Sequence, residues 1–199
     1  MHNDRVGVFF DYQNVYGWAR RQFIPNGSPG TEGHIWPKAT AELLASRRRR
    51  PSTLSTVQVY RGRPNPERQA TSARANDRQT ADWERTGVTV TRPNLQYPDN
   101  WPDSPAMEKG VDVALAVDLV HHALTGELDA AIVFTSDKDI LPAIELVFSK
   151  TSCHVELACW SGARRLRFEG TQAPWCHFLT EADFRAVRDL TDYADPNLM

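Results

Sequence analysis

Five short apolar runs constrain the fold of this chain more than any other feature: Val6–Phe10, Val57–Tyr60, Val88–Thr91, Ala131–Thr135 and His154–Trp160. Several are near-continuous in Val, Ile and Phe, the pattern of strands covered on both faces of a parallel sheet. Between them, apolar positions recur at helical spacing over about Asn14–Gln22, Lys38–Arg49, Glu67–Arg85, Glu108–Leu124 and Ile140–Ser149. A last helix is expected over about Glu181–Tyr193, where Thr180 can cap and Phe184, Val187 and Leu190 repeat. Alternating strands and helices imply right-handed crossovers and a doubly wound α/β fold. The expected architecture is a Rossmann-like parallel sheet of about five strands, order 3-2-1-4-5, with helices on both faces. The 199 residues show no internal repeat and no second core. One domain over 1–199 is therefore expected, its core at about 6–160 and a helical extension at about 161–199.

Composition removes several alternatives. Hydrophobic residues at 41% and charged residues at 24% exclude a disordered or fibrous chain. No apolar run approaches the ~20 residues that span a bilayer, so no membrane partner is expected. Met1-His2-Asn3-Asp4-Arg5 lacks the basic start of a signal peptide. Cys153, Cys159 and Cys176 are odd in number and without CxxC spacing. Neither a disulfide framework nor a zinc site is expected, and reduced thiols in a cytoplasm fit best.

The net charge of -2 conceals two opposed segments. Leu44 to Arg92 holds 11 Arg and 4 acids, whereas Glu108 to Glu145 holds 8 acids and 2 Lys. That pairing suits a site that attracts a polyanion and also holds cations, although two solvated faces of opposite sign read equally from composition. Arg47–Arg50 in particular read as a solvated run at a helix end.

The acids fall at telling places. Asp11 follows the first apolar run and Asp137 follows the fourth, so both stand at carboxyl ends of strands. Ligands bind there in open α/β sheets, and the expected order makes those strands neighbours at the switch point. Asp112 opens the strongest helix and reaches the same edge after the proline-rich loop Arg92–Pro105. Asp112, and likewise Asp137 or Asp139, alone reads equally as a helix cap. Grouped, the acids repel and call for a cation or a shared proton, and oxygen ligands without a His or Cys cluster suit Mg²⁺ or Mn²⁺. Asn14 serves either as a cap or to orient Asp11. Asp118 lies about 240° round the helix from Asp112 and stays outside the set. Arg61 and Arg63 follow the second strand and Arg92 the third, where phosphate contact is expected. Tyr97 and Trp101, in the loop, are placed to stack on unpaired bases, whereas Tyr12 and Tyr16 beside a strand end read more readily as core.

Phe10-Asp11-Tyr12-Gln13-Asn14-Val15-Tyr16, Lys109-Gly110-Val111-Asp112-Val113-Ala114-Leu115-Ala116-Val117-Asp118 and Thr135-Ser136-Asp137-Lys138-Asp139 together resemble the signatures of NYN domains. These belong to the PIN-like superfamily of metal-dependent ribonucleases, and the LabA-like bacterial branch is nearest in character. The resemblance implies an endoribonuclease with Mg²⁺ or Mn²⁺ on Asp11, Asp112 and Asp137, supported by Asn14 and Asp139. It departs from the usual pattern at Lys138 and Ile140. Lys138 either weakens the metal site or touches a phosphate, as Lys109 is also placed to do. The partner implied is RNA, with room for a homodimer or a regulatory protein. The alternative is a non-catalytic RNA-binding module that keeps the fold.

Overall fold

A computed structural model of the chain describes residues 3–168, 173–195 and 197. Its elements run β1 (Asp4–Asp11), α1 (Tyr12–Phe23), α2 (Pro37–Ser46), β2 (Ser52–Tyr60), α3 (Ala70–Arg85), β3 (Thr89–Thr91) and α4 (Val111–Leu124). There follow β4 (Ala130–Phe134), a 3₁₀ turn (Lys138–Ile140), α5 (Leu141–Lys150), β5 (His154–Trp160), β6 (Trp175–Leu179) and α6 (Glu181–Val187). All strands pair in parallel in the order β3-β2-β1-β4-β5-β6. Crossovers run one way from β1 to β3 and the other way from β4 to β5. Right-handedness therefore puts α1–α3 on one face and α4 and α5 on the other. The central strand β1 is buried from Val6 to Asp11, as its unbroken apolar run requires.

Two expectations at the C-terminal end need correction. The sheet has six strands, because Trp175–Leu179 pairs with β5 inside the stretch expected to be a helical extension. The last helix also stops at Val187, well short of Tyr193. Its capping box at Thr180 and Asp183 fixes the start. At the other end Arg188 turns extended, Trp36 N–H donates to Val187 O, and Asp189 N–H donates to His34 O. Pairing with the Ile35 segment thus replaces further helical turns, and Leu190 is left exposed. Residues 169–172, 196, 198 and 199 of that extension, and Met1 and His2 of the expected leaderless start, lie outside the described residues.

The arginine run is a solvated face at Arg47, Arg49 and Arg50 but not at Arg48. At the amino-terminal edge of the sheet, Arg48 is buried and donates to Glu156 (2.8 Å), Asp4 (3.1 Å) and Ser52. His177 Nε2 lies 2.6 Å from the other Glu156 oxygen. Burial opposes ionisation of Glu156, but the bonds from His177 and Arg48 hold its carboxyl below the ordinary value. Arg47 pairs with Asp183 and Arg50 with Asp4. Cys153, Cys159 and Cys176 are buried free thiols. No helix among the described residues is long and apolar enough to cross a membrane.

Removing one partner of a buried ion network strands the others. Arg48→Met should cost about 3–5 kcal/mol in urea unfolding, whereas Arg85→Ala, which breaks the exposed Arg85–Asp82 pair, should cost less than about 1 kcal/mol.

Candidate metal centre

The register of β1 against β4 determines what meets at the switch point. Phe10 pairs with Phe134, so the next residue on each strand, Asp11 and Thr135, stand side by side. The Thr135 hydroxyl donates to Asp11 Oδ2 at 2.7 Å and accepts from the Asp137 backbone N–H at 2.9 Å. Asp11 Oδ1 also accepts from Asn14 N–H (3.3 Å), making Asp11 the cap of α1. The Asn14 side chain is not a cap, since its Oδ1 accepts from Ser136 N–H at 2.9 Å and ties the start of α1 to the loop after β4. Asp137 caps the 3₁₀ turn by accepting from Asp139 N–H (3.0 Å). Gly110, at φ 79°, gives the left-handed turn that starts α4 and sets Asp112 in its first turn.

These carboxylates share one electrostatic field. Burial pushes the Asp11 carboxyl up to about 7, the bonds from Thr135 and Asn14 oppose that shift, and the charges of Asp112 and Asp137 add to it. Asp112 is also raised, by burial and then by Asp137 and Asp139. Glu108 belongs to the same group. It accepts from Gly62 N–H, and burial raises its carboxyl while Asp112 repels it. The donor set is all oxygen, which suits Mg²⁺ or Mn²⁺. Among the described residues no three His, Cys, Asp or Glu side chains close round one point. Mg²⁺ is commonly held through one or two carboxylates and keeps several waters, so the residues present fit such an ion.

The remaining expected residues divide. Lys138 is exposed and lines a recess of about 380 Å³ with Ser136, Arg164, Arg165 and Arg167, immediately beside Asp137. Lys109 is exposed at the start of α4. Arg63 and Arg92 both bond to Asp77, at 2.8 and 2.6 Å, so two cations share one carboxylate. Arg61 lies over the Tyr12 and Trp83 rings. Tyr97 and Trp101 pack edge to face beneath Arg68, with the Tyr97 hydroxyl donating to Gln69. Asp118 accepts from the Tyr60 hydroxyl at 2.9 Å, on the α4–β2 contact. The sequence reading missed Thr135 and Glu108. Thr135 reads as an ordinary strand former, and only its place two residues before Asp137 marks it.

Residues 5–169 match the NYN domain family. Over 48 residues, 24% of this chain, the sequence is 38% identical to 6-hydroxy-3-succinoylpyridine 3-monooxygenase of Pseudomonas putida. The match takes in 15% of that enzyme, so the chain spans a small part of its length. A solved structure of a protein of unknown function from Vibrio parahaemolyticus is 15% identical, with a TM-score of 0.49 over 80% of this chain and 83% of that one.

The raised Asp11 carboxyl has a consequence for stability. The unfolded carboxyl titrates near ~3.9 and the folded one near 7, so between those values the folded chain holds a proton that the unfolded chain has lost. Stability therefore falls as pH rises through that window. In EDTA, Asp11→Asn should be more stable than the parent above pH 7, by up to about 4 kcal/mol, and the advantage should shrink toward zero near pH 4. Urea unfolding across pH measures it, and a pH-independent difference would contradict the shared field.

Proposed function

The chain belongs to the NYN domain family, a group of PIN-like nucleases, and on that premise we propose that it hydrolyses RNA phosphodiester bonds using Mg²⁺ or Mn²⁺. The observation that carries this reading is that burial raises Asp11 to about 7 and that the charges of Asp112 and Asp137, from two other elements, add to that rise. A carboxyl so destabilised in its charged form gains from a bound cation. One or two of Asp11, Asp112 and Asp137 would hold the ion directly and the remainder, with Asp139, through its waters. When bound, such an ion supplies an acidified water and neutralises charge on the scissile phosphate.

The chain's own groups do the rest. Thr135 fixes Asp11 Oδ2 and the backbone of Asp137 together, and Asn14 holds the β4 loop against α1. Both are positioning residues. Lys138, Arg164 and Arg167 flank Asp137 and bind phosphates of the RNA, and Lys109 approaches from the α4 side. Hydrolysis by in-line attack leaves a 5′-phosphate and a 3′-hydroxyl. We place the reaction in the cytoplasm, as an endonucleolytic cut.

The test is incubation of the full chain with labelled single-stranded RNA and Mn²⁺. Cleavage is expected, abolished by EDTA and by Asp11→Asn or Asp137→Asn, and lowered about 10–100-fold by Asn14→Ala, the loss typical of a supporting residue around a metal. RNA that is bound but uncut under every condition would instead assign the chain as a binding module. Cutting that survives Asp11→Asn would reject the site.

A further inference from the structure

We propose that a pocket lined by Arg61, beside the carboxylate edge, binds a nucleoside 5′-phosphate with the phosphate against the Arg61 guanidinium. The pocket holds about 720 Å³ and lies between α1, α3 and the segments around His34 and Tyr193. That is the size of a small-ligand site and far more than a bare phosphate needs. Arg61 and Gln13 also line a recess that reaches Glu108, so the pocket and the acids are neighbours.

Arg61 differs from the rest of the basic segment in being set into a pocket without an ion pair, whereas Arg49, Arg68 and Arg74 are exposed and Arg78 donates to backbone carbonyls. Arg47, Arg48, Arg50, Arg63, Arg85 and Arg92 each have a carboxylate partner. The Arg61 guanidinium has none among the described residues. It stacks over Tyr12 (5.1 Å) and Trp83 (5.3 Å), and its hydrogen bond goes to the neutral Gln79 Oε1 at 2.6 Å. Glu108, across the adjoining recess, offsets part of its charge without forming an ion pair, so the guanidinium keeps donors free, and a planar fork of donors is suited to a phosphate.

The groups around it are donors as well. Gln79 is 2% exposed, and its Nε2 has no partner. His34 also lines the pocket, and its Nδ1 lies 3.0 Å from the Tyr12 hydroxyl. Tyr12 Oη also accepts from Ile35 N–H (3.4 Å), so the phenol is held from two sides at the pocket wall. Guanidinium and amide N–H groups together ask for an acceptor-rich, anionic group. Asp192, the acid among the lining residues, stands exposed at the rim. The remaining space is walled by Tyr16 and Tyr193 with the side-chain amides of Gln13 and Gln69, surfaces that suit a base and a sugar.

The phosphate has two possible sources, a free mononucleotide or the 5′-phosphorylated end of an RNA, and only the second rests on the nuclease reading. Binding is measured on the full chain in EDTA, where no divalent ion is present and cleavage plays no part. AMP, GMP, CMP, UMP, their nucleosides and inorganic phosphate are titrated separately by calorimetry and thermal shift. At least one nucleotide should bind about tenfold or more tighter than its nucleoside and than inorganic phosphate. Gln79→Glu, which sets a carboxylate against Arg61, should weaken that nucleotide about tenfold or more while the unliganded chain melts no lower. Arg61→Met, which keeps the apolar stem over the rings, should do the same to binding. A 5′-phosphorylated tetranucleotide that binds tighter than the mononucleotide identifies an RNA end, and equal or weaker binding identifies a free nucleotide. No binding at millimolar concentration, a nucleoside or inorganic phosphate as tight as the nucleotide, or unchanged affinity in folded Gln79→Glu would overturn the proposal.

Discussion

The hydroxyl of Thr135 stands between two acids that would otherwise separate. It donates to Asp11 Oδ2 and accepts from the backbone of Asp137, so one side chain fixes the distance between the ends of β1 and β4. Everything at this edge depends on that bridge. Asp11 is 4% exposed, and a carboxylate so buried is unfavourable unless its charge is bonded, shared or balanced. Thr135 and Asn14 N–H supply two bonds, and the charges of Asp112 and Asp137 work against them. The unresolved repulsion is what the proposed cation would relieve.

The two ends of the sheet solve the problem of buried charge in opposite ways. At the amino-terminal edge, Asp4 and Glu156 are matched by Arg48, Arg50 and His177, and the network closes on itself. Such a cluster is matched internally, and breaking it would strand a buried charge. At the carboxyl edge, Asp11, Asp112 and Asp137 have no ion-pair partner among the described residues, and of the acids there Arg61 acts only on Glu108. The cations nearby lie to either side, as Lys138 with Arg164 and Arg167 in one recess and Arg61 in another. A polyanion laid across this edge meets positive charge on both flanks and the acids in the middle, an order that attracts phosphates and leaves room for a divalent ion between them.

The layers of the fold were legible because both periodicities are strong. Buried parallel strands read as unbroken apolar runs, and each is followed by a helix that covers it. β6 escaped for the same reason. A parallel partner is normally reached through a helix, but the described part of the chain between Trp160 and Trp175 forms none. As an edge strand, β6 also leaves Trp175 and Phe178 exposed and gives no apolar run. Asp11, Asp112 and Asp137 were legible from their positions at strand and helix ends. The partners of the arginines were not, since Arg48 finds Asp4 and Glu156 only across 44 and 108 residues of sequence. No local pattern distinguishes such a residue from Arg61, which stays without a carboxylate.

Carbon-13 titration of the Asp11 carboxyl, with and without Mg²⁺, tests the central claim most directly. Without the ion, the resonance should titrate near pH 7, well above an ordinary aspartate, because burial and two neighbouring acids oppose its charge. With saturating Mg²⁺ it should move to the ordinary carboxylate range or lower, as the cation takes up that repulsion. An Asp11 that titrates near ~3.9 in both conditions would mean that the acids neither feel one another nor share an ion.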